Sequence, residues 1–85
     1  MEKETTGSIY LHRIDAAQNM QRYYMLDIQP TLFGGASVIR NWGRIGAGGQ
    51  TMMETFDHPD DANMALLRLE RTKRRRGYRD AGSAE

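Results

Sequence analysis

The spacing of the apolar residues changes once along the chain, near Pro59, and this change constrains the fold more than any other feature. After Pro59, apolar residues recur at i, i+3, i+4 and i+7, at positions 62, 65, 66 and 69, as on one face of an α-helix. Before Pro59, short segments rich in β-branched and aromatic residues are separated by Gly or Pro, a pattern typical of strands. The sequence therefore predicts several strands followed by one helix.

The helix is predicted over about residues 59–76. Asp57 or His58 occupies the N-cap position, and Pro59 suits the first helical residue because its missing N–H is not needed there. Basic residues fill the last turn, where they are favourable beside the negative end of the helix dipole, and Gly77 suits the position after the cap.

Four strands are predicted before the helix, with five as the alternative. They cover residues 8–14, 20–29, 36–45 and 50–56. Glycine-rich turns join the last three segments, so their neighbours run antiparallel, and a helix with one apolar face covers one side of such a sheet. The predicted fold is α+β: a small antiparallel sheet with one helix packed on one face.

The chain of 85 residues is long enough for one small core. We expect a flexible N-terminus at residues 1–7, a single domain at residues 8–79 and a disordered tail at residues 80–85. The sequence has no cysteine, which excludes a disulfide framework and any thiolate metal site. No apolar run is long enough for a membrane span and no signal peptide is present, so we expect a soluble, cytoplasmic protein without membrane contact.

One predicted strand carries the only tryptophan of the chain, Trp42, between two arginines. Side chains alternate between the faces of a strand, so Arg40, Trp42 and Arg44 share one face, whereas Ile39 and Ile45 share the other. We expect the isoleucines to pack in the core under the helix. The tryptophan and its arginines then lie on the open face of the sheet or near its end.

Two further patterns concern the core and the charge distribution. The methionines at positions 20, 25, 52, 53 and 64 are expected to fill the core. Residues 71–79 contain six of the twelve basic residues and no acidic residue, although the net charge is only +1. A concentrated basic patch indicates an anionic partner; the alternative is that these side chains favour the helix dipole and remain in solvent.

No residue pattern indicates catalysis. The two histidines, His12 and His58, are far apart in sequence and lack an acid or nucleophile at a suitable spacing. The glycine-rich segment 46–49 is not followed by a helix and lacks the lysine of a phosphate-binding loop, which favours a hairpin turn. We predict that the protein is not an enzyme and has no metal or cofactor.

Several segments, in this order, resemble a WGR domain. They are Tyr23-Tyr24-Met25-Leu26-Asp27-Ile28, Arg40-Asn41-Trp42-Gly43-Arg44-Ile45-Gly46, and an acidic pair before an amphipathic helix that ends in Lys73 and Gly77-Tyr78. The similarity covers roughly residues 10–78. Such domains occur in DNA-dependent poly(ADP-ribose) polymerases and as short bacterial proteins, and they are antiparallel sheets with one helix.

The resemblance implies binding to DNA, with RNA as the alternative, near strand ends or nicks. It implies that Trp42 packs on sugar and base, with Arg44 and its neighbour Arg40 at the backbone. Gln21 stands where the polymerase domains often have Asn, and the helix ends in arginines where they often have Thr and Asn. The predicted binding residues are Trp42, Arg44, Arg40, Asn41, Gln21, Lys73, Arg74, Arg75 and Arg76.

A second hypothesis is a protein-interaction module that uses the same Trp42 surface or an edge of the sheet. Tryptophan and arginine are enriched at the centres of such interfaces, and the near-neutral net charge favours this reading. The basic run in residues 71–79 opposes it. A small sheet with a free edge is compatible with a monomer or a weak dimer.

Overall fold

The computed structural model describes residues 8–81, which include a short 3-10 helix at Ala16–Gln18 and form five strands and one α-helix. In chain order these are β1 (Ile9–Asp15), β2 (Met20–Pro30), β3 (Ala36–Arg44), β4 (Gln50–Phe56), α1 (Pro59–Arg75) and β5 (Arg79–Asp80). The predicted α+β class, with one helix on an antiparallel sheet, is confirmed, and the count of strands is the alternative of five. The flexibility predicted for residues 1–7 lies outside the described residues.

The strands are arranged in the order β4-β3-β2-β1-β5, with every neighbouring pair antiparallel. The fifth strand corrects the prediction for the C-terminus. Asp80 was assigned to a disordered tail, but it pairs with Leu11 of β1, and the N–H of Ala81 donates to the carbonyl of Tyr10 at 2.9 Å. The rest of that predicted tail, residues 82–85, lies outside the described residues.

The core lies between α1 and one face of the sheet, which we call the helix face. Its buried residues come from β1, β2, β3 and α1, and they are Leu11, Tyr24, Leu26, Ala36, Val38, Ala62 and Ala65. Leu66 and Leu69 of the helix pack against them. The apolar stripe of α1 is therefore the surface that holds the two layers together.

The ends of α1 follow the predicted signals. His58 occupies the N-cap position without a side-chain hydrogen bond to the helix, and Pro59 is the first helical residue. Gly77 follows the helix with φ +99°, a conformation that favours glycine. The chain then turns back, and this reversal brings Arg79 and Asp80 alongside β1.

The prediction for the two faces of β3 is wrong. Ala36 and Val38 are buried under the helix, so every second residue from them, including Arg40, Trp42 and Arg44, belongs to the helix face. Ile39 lies on the opposite, open face, and Ile45 lies beyond the end of the strand; both are only partly buried. The isoleucines are therefore not the core residues of this strand.

The β4 strand pairs with β3 in an unbroken register from Ala36–Phe56 to Trp42–Gln50. This pairing contains no β-bulge. Met52 and Met53 consequently lie on opposite faces, and both are exposed, as is Met64 of the helix. These three methionines were expected in the core, and that expectation is wrong.

The turn between β2 and β3 projects two apolar side chains into solvent. Leu32 and Phe33 are 94% and 95% exposed. The turn is closed by a backbone hydrogen bond of 3.0 Å from the N–H of Thr31 to the carbonyl of Gly35, and the N–H of Gly35 donates to Oγ1 of Thr31 at 3.0 Å. This turn and the Trp42 end of β3 lie at opposite ends of the sheet.

Within residues 8–81, no helix is long and apolar enough to cross a membrane.

Candidate nucleic-acid interface

Trp42 lies on the helix face near the end of β3, beyond the part of the sheet that the apolar stripe of α1 covers. It pairs with Tyr24 of β2 on one side and Gln50 of β4 on the other. The indole is half-buried, its centroid is 6.3 Å from that of the Tyr24 ring, and Cζ of Arg40 is 5.8 Å from the indole centroid. One side of the indole packs against the core, while the rest of the side chain borders solvent.

Lys73 reaches the same place from the helix. It follows Leu69 by four positions, so it continues the apolar stripe of α1 by one more turn and faces the sheet. Its ammonium Nζ lies 4.6 Å from the centroid of the Tyr24 ring and 5.5 Å from that of the Tyr78 ring. The helix therefore ends with a cation placed over two aromatic rings, beside Trp42.

The neighbouring positive charges act on one another. Burial lowers the pKa of Lys73 from its ordinary value, and the guanidinium groups of Arg76, Arg40 and Arg22 lower it further. Arg22 lies opposite Arg44 in the register of β2 and β3, where like charges are unfavourable. We call the group the Trp42 cluster, and its members are Arg22, Tyr24, Arg40, Trp42, Arg44 and Lys73.

The polar groups of the Trp42 cluster are poorly compensated by the protein itself. Within residues 8–81, none of its four cations forms an ion pair with a carboxylate. The hydroxyl of Tyr24 is buried and has no hydrogen-bond partner among these residues. Among residues 8–81, the side chain of Arg40 donates only to the thioether sulfur of Met52, at 2.6 Å, which is a weak acceptor. A buried hydroxyl without a partner is uncommon, and the positive charge of this cluster is not neutralised by carboxylates of residues 8–81.

Two clefts flank Trp42. One has a volume of about 250 Å³ and is lined by Tyr24, Arg40, Trp42 and Lys73. The other has a volume of about 390 Å³ and is lined by Arg22, Trp42, Gly43, Arg44, Gly48, Gly49 and Gln50. Each cleft thus combines Trp42 with two cations.

A close approach of two glycines shapes the second cleft. A Cβ on Gly43 would lie 2.9 Å from Cα of Gly49, so any larger residue at this position would displace the loop between β3 and β4. The glycine that follows Trp42 therefore lets that loop fold back against the strand. This packing leaves the cleft open between Arg22, Arg44 and the loop.

Asn41 and Gln21, both predicted to bind, lie away from the cluster. Asn41 is on the open face, where its Oδ1 accepts from the Tyr23 hydroxyl at 2.6 Å and its Nδ2 donates to the Gln50 carbonyl at 3.0 Å and to Oγ1 of Thr51 at 2.8 Å. Gln21 pairs with Ile14 on the same open face, and its side chain is exposed. The structure gives Asn41 a role in joining β2, β3 and β4.

The basic residues at the C-terminal end of α1 lie on different sides of the molecule. Arg76, three positions after Lys73, contributes to the field at the Trp42 cluster. Arg74 instead forms ion pairs with Glu70 at 2.8 Å and with Asp80, and these carboxylates raise its pKa. Arg75 lines a separate surface groove along the outer side of the helix, beside Leu67 and Arg71.

Arg22 and Tyr24 are members of the cluster that the sequence analysis did not name as binding residues. A signal for them existed, because both share the face of β2 with Leu26 and Ile28, as the sequence alternation predicts. What the sequence did not reveal was that Trp42 lies on that same face. The pairing of Tyr24 with Trp42 makes the connection.

The family of WGR domains matches residues 7–85. The chain belongs to this family. The Trp42-Gly43-Arg44 tripeptide thus supplies the motif residues, and in this WGR domain they lie where β3 borders the two clefts. WGR domains are nucleic-acid-binding modules in proteins of the poly(ADP-ribose) polymerase type.

A relative of this WGR domain is "Uncharacterized protein y4dW" of Sinorhizobium fredii (strain NGR234). The two are 48% identical over 71 residues, which make up 84% of this chain and 35% of the relative. The chain therefore spans about a third of the length of the curated relative that it matches. No solved structure matches the chain significantly.

Proposed function

We propose that this WGR domain binds DNA without base specificity, at strand ends or nicks, and that it acts by binding alone, without catalysis. The observation that carries the proposal is the Trp42 cluster. It combines a half-buried indole with four cations that lack ion-pair partners within residues 8–81. Membership of the WGR family supports a nucleic acid as the anion.

Trp42 is the stacking group of the proposed interface. An indole plane fixed by the Tyr24 contact and by the core is already ordered, so little side-chain entropy is lost when a base or sugar packs on it. Stacking on an aromatic ring is tolerant of sequence because every base has a π-face. A base at an end or nick is accessible for this contact, whereas a base inside a continuous duplex is stacked between its neighbours.

The two clefts hold phosphates on either side of the stacked nucleotide in this proposal. Lys73 and Arg40 provide the charge in the smaller cleft. Arg22 and Arg44 provide the charge in the larger one. Backbone contacts of this kind position a protein on DNA but carry no base sequence information.

The orientation of the helix supports binding without base readout. The apolar stripe of α1 packs on the sheet, and Lys73 at its end faces the sheet as well. Reading a major groove requires a helix that presents side chains outward at its N-terminal turns. The first turn of α1 instead carries Asp60 and Asp61, whose negative charge opposes approach to phosphates.

The alternative hypothesis is that a protein partner binds the same surface. A protein partner at the Trp42 cluster would have to provide several carboxylates at once to neutralise four clustered cations. DNA presents such a row of charges at regular spacing. The cluster therefore favours a nucleic acid as its ligand. Binding of a protein at the edge of the sheet is an independent hypothesis.

The test is a titration of the protein with fluorescently labelled oligonucleotides at about 50 mM and about 150 mM salt. The set contains an intact circular or end-blocked duplex, a 5′-phosphorylated blunt duplex, a nicked duplex and an RNA duplex. We expect the blunt and nicked DNA to bind more tightly than the end-blocked duplex and to quench the fluorescence of Trp42.

Three outcomes would contradict the proposal. Equal affinity for end-blocked and nicked duplexes would remove the preference for ends. Tighter binding of the RNA duplex would make RNA the ligand. No binding of any duplex at micromolar protein and about 50 mM salt would remove the nucleic-acid function, because electrostatic contacts are strongest at low salt.

A further inference from the structure

The two edges of the sheet differ in how well they are protected from pairing with another strand. On one side, β1 is bordered by the two-residue strand β5, whose members Arg79 and Asp80 are both charged. Short, charged edge strands discourage further pairing. This edge is protected in the way that is usual for natural sheets.

The other edge, β4, is longer and has only one charged residue. It is seven residues long, its pairing with β3 is regular, and it contains no proline, no lysine and no arginine. Its only ionisable side chain is that of Glu54. All of its residues before Phe56 are exposed, and no strand pairs with its outer side within residues 8–81. An edge of this type is a template for strand addition.

The side chains of β4 offer apolar contact surface on both faces of the sheet. Met52 on the helix face and Met53 on the open face are 48% and 64% exposed. Flexible thioether side chains adapt to many partner shapes. A strand added beside β4 would cover part of both methionines and use the outward backbone N–H and C=O groups.

The partner that fits this edge is β4 of a second copy. Antiparallel pairing of residues 50–56 with the same segment, centred on Met53, places Thr51 opposite Thr55 and Met52 opposite Glu54. No like charges then face each other, and opposed threonines are favourable cross-strand pairs. We propose that β4 pairs with β4 of a second molecule, giving a symmetric dimer with one continuous ten-stranded sheet.

The proposed dimer leaves the Trp42 cluster accessible. A two-fold axis perpendicular to the sheet keeps both helices on the same face, so both clusters also lie on that face. From the usual spacing of strands and residues, the two Trp42 side chains are roughly 25 Å apart. A single pair of edge strands is a small interface, so we expect a dissociation constant weaker than about 1 µM.

The experiment is sedimentation of the protein without DNA, from about 10 µM to about 1 mM, a range suited to weak association. We expect the mass to rise with concentration from the 9.7 kDa of one chain toward twice that value. Met53→Lys places two lysines opposite each other and should keep the protein monomeric. Mixing Met53→Lys with Met53→Glu should restore dimers, because unlike charges then face each other.

Two control variants make the result specific to β4. Met64→Lys introduces the same change at a methionine that is 62% exposed on the helix, and Phe33→Ser removes the most exposed apolar side chain. Both should dimerise as the original protein does. A constant mass of one chain up to about 1 mM would overturn the proposal. So would loss of the dimer in either control, or failure of the Lys and Glu variants to associate with each other.

Dimerisation and DNA binding can fail separately. Met53 lies on the open face, away from the Trp42 cluster, so Met53→Lys should bind a short DNA end with unchanged affinity. A monomeric protein that binds DNA would contradict only the dimer. A dimer that binds no DNA would contradict only the proposed function.

Discussion

Trp42 and Asn41 are consecutive residues of β3, but they point to opposite faces of the sheet and have different surroundings. The amide of Asn41 has partners for both its oxygen and its nitrogen, in Tyr23, Gln50 and Thr51. On the other face, the cations beside Trp42 lack ion-pair partners within residues 8–81, and the hydroxyl of Tyr24 has no acceptor there.

In the proposed function, Asn41 stabilises the fold, whereas Trp42 and the cations beside it bind the ligand. A side chain whose hydrogen bonds are complete has little left to offer a partner, and its loss affects stability. A side chain with uncompensated charge costs stability in the free protein and gains from an anion. The following predictions test whether the two faces of β3 divide in this way.

The largest effect is expected for Trp42→Ala. Loss of a stacked base, at roughly 1–3 kcal/mol, should weaken binding of nicked DNA by about 5- to 140-fold. Tyr10→Ala is the matched control, because Tyr10 is an exposed aromatic residue on the open face, and it should leave the affinity unchanged. Fluorescence anisotropy measures both variants, after circular dichroism has shown that each is folded.

An intermediate variant, Trp42→Phe, covers the case in which the alanine variant does not fold. Phenylalanine keeps a stacking surface and much of the core contact, so its loss of affinity should be smaller than that of a folded alanine variant. If Trp42→Ala, Trp42→Phe and Tyr10→Ala all bind DNA as tightly as the original protein, the position of Trp42 on the helix face is not important for DNA binding.

Asn41→Ala should affect stability instead of binding. It leaves the Tyr23 hydroxyl without its acceptor and removes two bonds to β4, so the free energy of unfolding should fall by about 1–3 kcal/mol. Urea denaturation measures this change. At a temperature where the variant is folded, its DNA affinity should remain within about threefold, which is under 1 kcal/mol. Normal stability with lost binding would make Asn41 a ligand contact.

Lys73→Met should weaken DNA binding while the melting temperature stays the same or rises. Methionine retains an apolar contact with the rings of Tyr24 and Tyr78 but removes a cation that is crowded by Arg76, Arg40 and Arg22. A thermal scan and a DNA titration give the two results. A melting temperature lower by several degrees would show that the cation–π contacts outweigh the repulsion.

The same substitution gives a pH dependence with a definite sign. The pKa of Lys73 is lower in the folded state than the ordinary lysine value of about 10.4. The charged form therefore opposes folding below the folded-state pKa, and this penalty disappears as the pH rises through that value toward the unfolded one. The stability of the original protein relative to Lys73→Met should rise with pH in this window.

The smallest effect is expected in the salt dependence of single arginine variants. If Arg44 contacts one phosphate, Arg44→Ala should reduce the slope of log affinity against log salt by about 0.9 on duplex DNA. Arg75→Ala removes the same charge from the outer side of the helix and should leave the slope unchanged. Equal slopes for the two variants would mean that DNA affinity depends on the total positive charge of the domain and not on the position of each arginine.

The sequence predicted the elements of this fold well because the relevant signals are local. The ends of α1 follow from Pro59 and Gly77, and the bounds of β4 from the flanking glycines and Asp57. The faces of β3 were a different problem. Ile39 is a more typical core residue than Arg40, which predicts that the face of Arg40 and Trp42 is exposed. Val38 lies on that same face, two residues before Arg40, and is buried under the helix.

Where the helix stops decides this difference. The apolar stripe of α1 ends at Leu69, so the same face of the sheet is core near Val38 and partly exposed to solvent near Trp42. Alternation along one strand contains no information on the length of a helix that packs above it. Likewise, Arg74 was predicted to bind nucleic acid, but its guanidinium forms an ion pair with Asp80. This ion pair forms because β5 brings Asp80 next to the helix.

The hydrogen bond between Ala81 and Tyr10 has a consequence for how the domain fits into larger proteins. It places the first and last described strands side by side, at the edge of the sheet farthest from β4. A module whose chain enters and leaves at neighbouring points can be inserted into a loop of a host, or repeated in tandem, without stretching either strand.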